Sequence, residues 1–320
     1  MACETVTKPT MIDEADLRRA LPADSRLSDW RAPDGWRHRR FDWPHPDSRG
    51  RILVQGGRAD IVEKFLEPIR HLHAQRWSVT AFDWRGQGGS GRLAADPHVG
   101  HAASFDAWID DLAAFWRDWH AEGAGPAALL GHSMGAHLAL RAMLDRAIAP
   151  DAVVLVAPMI GVRSPLGARA GRAVARAMTR LGDPARPAWR VKPGQASAGH
   201  RQQRLTHSLE RYADEAYWYG REPALLLGPP SWAWVLEAFV SGARLQADPR
   251  LATLDVPVLM LVADADQLVD SGAAIRLAAR LPRVELVRFG AESGHEILRE
   301  ADGVRLRALA LIDSFLDRET

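Results

Sequence analysis

Gly131-His132-Ser133-Met134-Gly135 follows a short apolar run from Ala127 and is continued by helix formers from Ala136 to Leu144. The pattern reads as strand, sharp turn, helix, and G-x-S-x-G in that setting is the text of a nucleophile elbow. Small residues two positions either side of Ser133 suit a strained turn, because a side chain at either place strikes the neighbouring strand or helix. The serine hydroxyl then projects at the C-terminal edge of a sheet and the N-terminus of a helix. Read blandly, the same five residues are an ordinary turn in a glycine-rich loop. A serine is a poor nucleophile at neutral pH, so it needs a histidine to take its proton and a carboxylate to hold that histidine in the right tautomer. Of the twelve histidines, His295 sits in a loop after the last strand; His132 and His137 flank the serine but read as packing or supporting groups. Asp264, Asp266 and Asp270 all follow the preceding strand. Loop position favours Asp266, with Asp264 at the strand end and Asp270 as a helix cap.

The elements that must position these groups follow in chain order. Residues 1–35 read as a loosely held lead-in with one short helix from Asp13 to Leu21, and Trp36–Trp43 as an early edge strand. Arg51–Gln55 is a compact apolar run closed by Gly56-Gly57, as a buried parallel strand ends at a site loop. That loop is expected to supply one backbone N–H of an oxyanion hole at Arg58, beside the N–H of Met134 after the nucleophile. A helix to about Gln75 buries Ile61, Phe65, Leu66, Ile69 and Leu72. Ser78–Asp83 is the next strand. It runs into Gly86, Gly88 and Gly91, a literal G-x-G-x-x-G that opens into no helix and so reads poorly as a dinucleotide site. Ser104 is expected to cap a helix to about His120, with Trp108, Leu112, Phe115 and Trp119 inward and Asp106, Asp110, Asp111 and Asp118 on a solvated face. Further strands are expected at Ala152–Ala157, Val256–Ala263 and Val284–Phe289, and a last helix to about Leu316.

Between Pro158 and about Gln246 the alternation of strand and helix gives way to helical text with tryptophan and proline punctuation, which reads as a cap inserted above the sheet. The expected organisation is a lead-in at 1–35, a core at 36–158 and 247–320, and a cap at 159–246. Trp218, Trp232, Trp234 and Phe239, with Tyr219 and Leu225–Leu227, read as lining for an apolar channel, or as the packing that holds the cap down. The first cap helix, about Ala168 to Leu181, carries Arg169, Arg172, Arg176 and Arg180 on one face and Val174, Met178 and Leu181 on another. Arg186, Arg190, Lys192 and Arg201 add to it. Such a stripe is either a solvated face or a surface for anionic lipid or phosphate.

A formal net charge of +1 gives no reason to invoke nucleic acid, and the single cysteine, Cys3, excludes an internal disulfide framework. With no secretory signal and no long apolar run, the expectation is a cytoplasmic protein, peripheral at the inner membrane face through its basic cap helix.

The chain resembles the bacterial lysophospholipases of the monoacylglycerol-lipase type, a branch of the serine α/β-hydrolases. The matching text is Gly56-Gly57-Arg58 with Glu63-Lys64-Phe65, Asp83-Trp84-Arg85-Gly86-Gln87-Gly88, Gly131–Gly135, Ala157–Gly161, Gln203–Thr206, Gly228–Trp232 with Trp234, Ala265–Asp270 and Gly294-His295. The resemblance implies an α/β-hydrolase fold with a mostly parallel sheet, helices on both faces and a helical cap. It implies the triad Ser133, Asp266 and His295, no metal or cofactor, and hydrolysis of the ester of a monoacyl lipid. Gly56-Gly57 departs from the His-Gly or Asn-Gly usual there, and a looser oxyanion loop is expected. An N-terminal prolyl aminopeptidase and a non-catalytic binding protein on the same scaffold are the alternatives.

Overall fold

The computed structural model describes residues 14–190 and 198–320; Cys3 and Lys192 lie outside the described residues. Eight strands form one sheet in the order β1-β2-β4-β3-β5-β6-β7-β8. They are β1 (Arg26–Arg31), β2 (Arg37–Trp43), β3 (Gly50–Gln55), β4 (Trp77–Phe82), β5 (Ala127–His132), β6 (Ala152–Val156), β7 (Val258–Ala263) and β8 (Val284–Phe289). β1 and β2 pair antiparallel, as do β2 and β4, and every later pairing is parallel. The described helices are α1 (Glu14–Arg18), α2 (Leu66–Ala74), α3 (Asp106–Ala121), α4 (Met134–Leu144), α5 (Gly167–Arg180), α6 (Ala198–Leu205), α7 (Leu209–Arg221), α8 (Trp232–Ala247), α9 (Ser271–Ala278) and α10 (Asp302–Glu319). The architecture is that of an α/β-hydrolase.

The central strands are apolar without interruption because both faces of the sheet are covered. Side chains alternate between two cores: Leu53, Leu129, Val153 and Leu155 face one, and Ile52, Val54, Leu130 and Val154 the other. α3, α4 and α9 close the first core, with Trp108, Leu112, Phe115, Leu140 and Ala274 buried there. The second core is closed by α2 and α10 through Phe65, Ile69, Leu72, Ile312 and Phe315.

Three local readings are corrected. Residues 1–35 are not all lead-in, since β1 forms the sheet edge outside β2. Its alternation is mostly exposed and charged, so it carries little apolar signal; Trp30 anchors it, edge-on to Phe115 at 5.1 Å and donating to Asp118 at 3.1 Å. Asp111 is buried rather than solvated, accepting from Arg85 at 2.6 Å and lying 3.2 Å from His38 Nε2. Ser104 accepts from the Asp106 N–H at 3.1 Å, but α3 begins at Asp106 and Phe105 stands at its cap position with no side-chain bond.

Residues 159–246 hold α5, α6, α7 and α8, with no named strand among the described residues. Phe239 of α8 stands against Gly171, where an added Cβ would come within 2.8 Å of its ring. α7 is fastened to the body by ion pairs: Arg211 to Glu67 at 2.6 Å and to Asp302 at 2.7 Å, and Asp214 to Arg18 at 2.6 Å. No described helix is long and apolar enough to cross a membrane.

Candidate active site

Ser133 lies between β5 and α4 with φ 51° and ψ −112°. A non-glycine residue there is strained, and the surrounding backbone holds it: its N–H donates to Val156 at 2.9 Å, and its carbonyl accepts from Met159 at 3.0 Å and His137 at 3.1 Å. The flanking glycines are demanded by space. A Cβ on Gly135 would sit 2.5 Å from the Gly56 carbonyl oxygen, and one on Gly131 would sit 2.8 Å from the backbone of Ala136.

Ser133 Oγ is 2.9 Å from His295 Nε2, and His295 Nδ1 is 2.6 Å from Asp266 Oδ2. The other oxygen of Asp266 accepts from the N–H groups of Leu268 and Val269 at 2.7 and 3.0 Å, which fixes the carboxylate on its loop. Burial disfavours the charge on Asp266, but His295 and those amides outweigh it and leave its pKa below the usual carboxylate range. Burial likewise works against a charged His295; the Asp266 carboxylate, with Glu296 and Asp60 behind it, reverses that and raises its pKa above the ordinary histidine value. The histidine loop is braced by the end of α6: the Glu296 N–H donates to the Leu205 carbonyl at 2.8 Å, and a Cβ on Gly294 would meet that same oxygen at 2.7 Å.

The neighbouring candidates go elsewhere. Asp264 pairs with Arg288 at 2.9 Å, and Asp270 caps α9 by accepting from Ala273 at 3.0 Å. His137 lies 2.7 Å from Ser241, and burial, helped by Arg141, lowers its pKa to about 3. His132 Nδ1 is 2.9 Å from Asp60.

The loop after β3 wraps the serine, since a Cβ on Gly57 would lie 2.9 Å from the Ser133 Cβ. Among the described residues, neither the Arg58 N–H nor the Met134 N–H has a hydrogen-bond partner. The expected looseness of this loop is corrected by Asp60. Its carboxylate accepts from the Gly57 N–H at 2.6 Å, from His132 at 2.9 Å and from Lys64 at 2.6 Å. Lys64 also meets Glu296 at 2.5 Å, which ties the loop to the residue following His295. Burial alone would raise the Asp60 pKa, yet Lys64 and His132 hold it well below the usual range. Trp84 donates to the Gly56 carbonyl at 2.8 Å, Gln87 accepts from Ala59 at 2.6 Å, and Tyr219 donates to the Ala59 carbonyl at 3.1 Å. Sequence reasoning missed Asp60, Gln87 and Tyr219 in this role; the i, i+4 spacing of Asp60 and Lys64 was the available signal.

The expected channel residues part company. Trp234 lies under the Arg58 guanidinium at 5.6 Å and beside Phe105 at 5.7 Å. Trp218 does not join it: its indole donates to the Arg18 carbonyl at 3.2 Å, so it seals α7 against α1. Phe239 packs on α5, and Trp232 is half-buried in the first turn of α8.

Comparisons with known proteins agree with this architecture. The profile of the family described as serine aminopeptidase, S33 matches residues 46–302. Lysophospholipase L2 of Escherichia coli strain K12 is 33% identical over 295 residues, covering 87% of this chain and 83% of that one. Probable lysophospholipase L2 of Haemophilus influenzae is 28% identical over 289 residues, covering 88% of each. In three dimensions the chain is similar to a soluble variant of monoglyceride lipase from Saccharomyces cerevisiae. The TM-score is 0.71 at 18% identity, covering 92% of this chain and 97% of that one. By the profile that matches most of its length and by its likeness to lysophospholipase L2, the chain is a serine ester hydrolase and belongs to the serine aminopeptidase S33 family of α/β-hydrolases, in its lysophospholipase type.

Proposed function

We propose that this serine ester hydrolase cleaves the carboxylic ester of a monoacyl lipid, lysophospholipid or monoacylglycerol, through an acyl-Ser133 intermediate. The observation that carries the proposal is the unbroken line from Asp266 Oδ2 through His295 to Ser133 Oγ, with links of 2.6 and 2.9 Å. In the first step the Ser133 oxygen attacks the acyl carbonyl while His295 Nε2 takes its proton. The oxyanion rests on the unpaired N–H groups of Arg58 and Met134, and the alcohol leaves with the proton from His295. Water then repeats the sequence on the acyl-enzyme and releases the fatty acid. Asp266 stays ionised throughout and stabilises the imidazolium.

The names of the lysophospholipase L2 relatives and of the monoglyceride-lipase neighbour support the lipid class. The family description, serine aminopeptidase, supports a second reading, an aminopeptidase, of which the N-terminal prolyl type is the form expected from the sequence. That activity needs an unpaired carboxylate above the serine for the substrate amine. Asp214 is occupied by Arg18 and Arg19, Glu210 lies 3.6 Å from Arg18 and Glu215 pairs with Arg201 at 2.7 Å, whereas Glu222 and Glu237 make no ion pair among the described residues and are the carboxylates that this reading would use.

α5 supports a peripheral contact with anionic lipid from the cytoplasmic side. Arg169, Arg176 and Arg180 are exposed there, flanked by Leu166, Val174 and Leu181 at 65%, 41% and 78% exposure. A hydrolysis panel of p-nitrophenyl esters of rising chain length, monoacylglycerol, lysophosphatidylcholine and proline amides tests the substrate reading. Turnover of the monoacyl lipids supports it, and selective turnover of proline amides overturns it.

A further inference from the structure

We infer that the Arg58 side chain is a specificity-determining group that reads the phosphate of the substrate's leaving group, so that the preferred substrate is a monoacyl phospholipid rather than a neutral monoacylglycerol. The inference rests on the lipid-ester reading above and deepens it.

Arg58 differs from the other wholly or partly enclosed arginines: most are neutralised by carboxylates, and Arg51 and Arg92, which have none, donate to three and five backbone carbonyls, whereas Arg58 donates to one. Arg39 is matched by Asp83 and Glu63, Arg85 by Asp111 and Asp34, Arg211 by Glu67 and Asp302, and Arg299 by Glu296. Among the described residues Arg58 makes no ion pair. One terminal nitrogen donates to the Gly228 carbonyl, the guanidinium lies over the Trp234 ring at 5.6 Å, and the Nε atom is buried with no hydrogen-bond partner. Burial, then the like charge of Arg201, lowers the Arg58 pKa to about 10, so the group remains protonated at neutral pH. A desolvated cation with unused donors is costly unless an anion completes it, and a guanidinium fork matches a phosphate.

Its place on the chain makes that anion part of the substrate. The Arg58 backbone N–H is one of the two donors proposed to hold the ester carbonyl. In an arginine, the guanidinium carbon lies as many bonds from the amide nitrogen as the phosphorus of a 1-acyl glycerophospholipid lies from its ester carbonyl carbon. One residue therefore spans both ends of the leaving group, main chain to carbonyl and side chain to phosphate. A monoacylglycerol presents a hydroxyl at the far end and leaves the guanidinium uncompensated. Trp234 and the Gly228 carbonyl hold the fork in place, which reduces what must be ordered on binding.

The test compares the full-length protein with Arg58→Met on two substrates of one acyl chain, lysophosphatidylcholine and monoacylglycerol, in the same neutral mixed micelles. Lysophosphatidylcholine carries a phosphate but no net charge, so the α5 arginines see equal surfaces. Any damage to the loop is common to both substrates and cancels in the ratio of their kcat/KM values. The expected result is a ratio that falls about 10- to 100-fold toward monoacylglycerol in the variant. An unchanged ratio overturns the inference while leaving the ester-hydrolase reading intact. A wild type that turns over neither lipid overturns the lipid reading itself. In a second arm, wild-type hydrolysis of p-nitrophenyl butyrate is measured with glycerol 3-phosphate, inorganic phosphate or glycerol added. Competitive inhibition strongest with glycerol 3-phosphate supports a headgroup site. Equal inhibition by inorganic phosphate, or none by any of the three, overturns it.

Discussion

Replacing Asp60 by Ala tests whether the loop beside the nucleophile is held by a carboxylate that touches no substrate. Three donors converge on that side chain: the Gly57 N–H at 2.6 Å, His132 at 2.9 Å and Lys64 at 2.6 Å. The variant orphans the first two in a buried setting, at about 1–3 kcal/mol each. Lys64 keeps Glu296 at 2.5 Å, so its loss is only partial. The sum is about 2–6 kcal/mol, which spans the cost of removing one member of a buried ionic cluster. For a chain of this size that lowers Tm by about 3–9 °C. Freed from Asp60, Gly57 no longer fixes the adjoining Arg58 N–H, and loss of one oxyanion donor costs about 10²–10³ in rate. Partial displacement predicts a kcat on a soluble p-nitrophenyl ester lowered about 10- to 100-fold with KM little changed, the mark of an interaction made in the transition state. Asp60→Asn, which keeps an acceptor for Gly57 but loses the charge facing Lys64, is expected in between. Thermal melts and steady-state kinetics read both effects. A stable Asp60→Ala protein with wild-type kcat would refute the reasoning.

Three further outcomes are expected. His295 must be neutral to accept the serine proton, so kcat/KM rises with pH through its pKa, which its neighbours hold above the ordinary value. In Asp266→Asn the leading cause of that elevation is gone; the midpoint moves to lower pH and the plateau drops by about 10⁴, and a midpoint that stays put contradicts the assignment. Gly57→Ala places a methyl 2.9 Å from the Ser133 Cβ and is expected to lower kcat at least about 10-fold at near-normal stability, whereas wild-type turnover would show that the loop yields. Reversing Arg169, Arg172 and Arg176 to Glu is expected to weaken hydrolysis on anionic vesicles more than on a soluble ester, and equal effects on both would remove the membrane contact.

Much of the frame was legible because its signals are local. Strands buried on both faces write continuous apolar runs, as in Ala152–Val156, and the elbow at Ser133 needs glycines that only a tight turn explains. The elbow after β5 and the loops after β7 and β8 pointed to a serine, an acid and a histidine, and loop position chose Asp266 from three aspartates, the one that the fold brings within hydrogen-bond reach of His295. What escaped depends on partners distant in sequence. β1 is a charged edge with one anchoring tryptophan, and Asp111 looks solvated until Arg85 and His38 close over it. Trp218 reads as lining for an apolar channel, yet its neighbour is α1, a contact no periodicity encodes. The Asp60 support replaces the missing side chain at Gly56-Gly57 from three residues downstream, and only the path of the loop reveals it.

The most direct test is covalent. Incubating the wild-type protein with a fluorophosphonate and mapping the adduct by mass spectrometry is expected to place one label on the peptide containing Ser133, with labelling abolished in Ser133→Ala and slowed in His295→Ala. A wild-type protein that takes no label, or one labelled equally well without the Ser133 hydroxyl, would contradict the account.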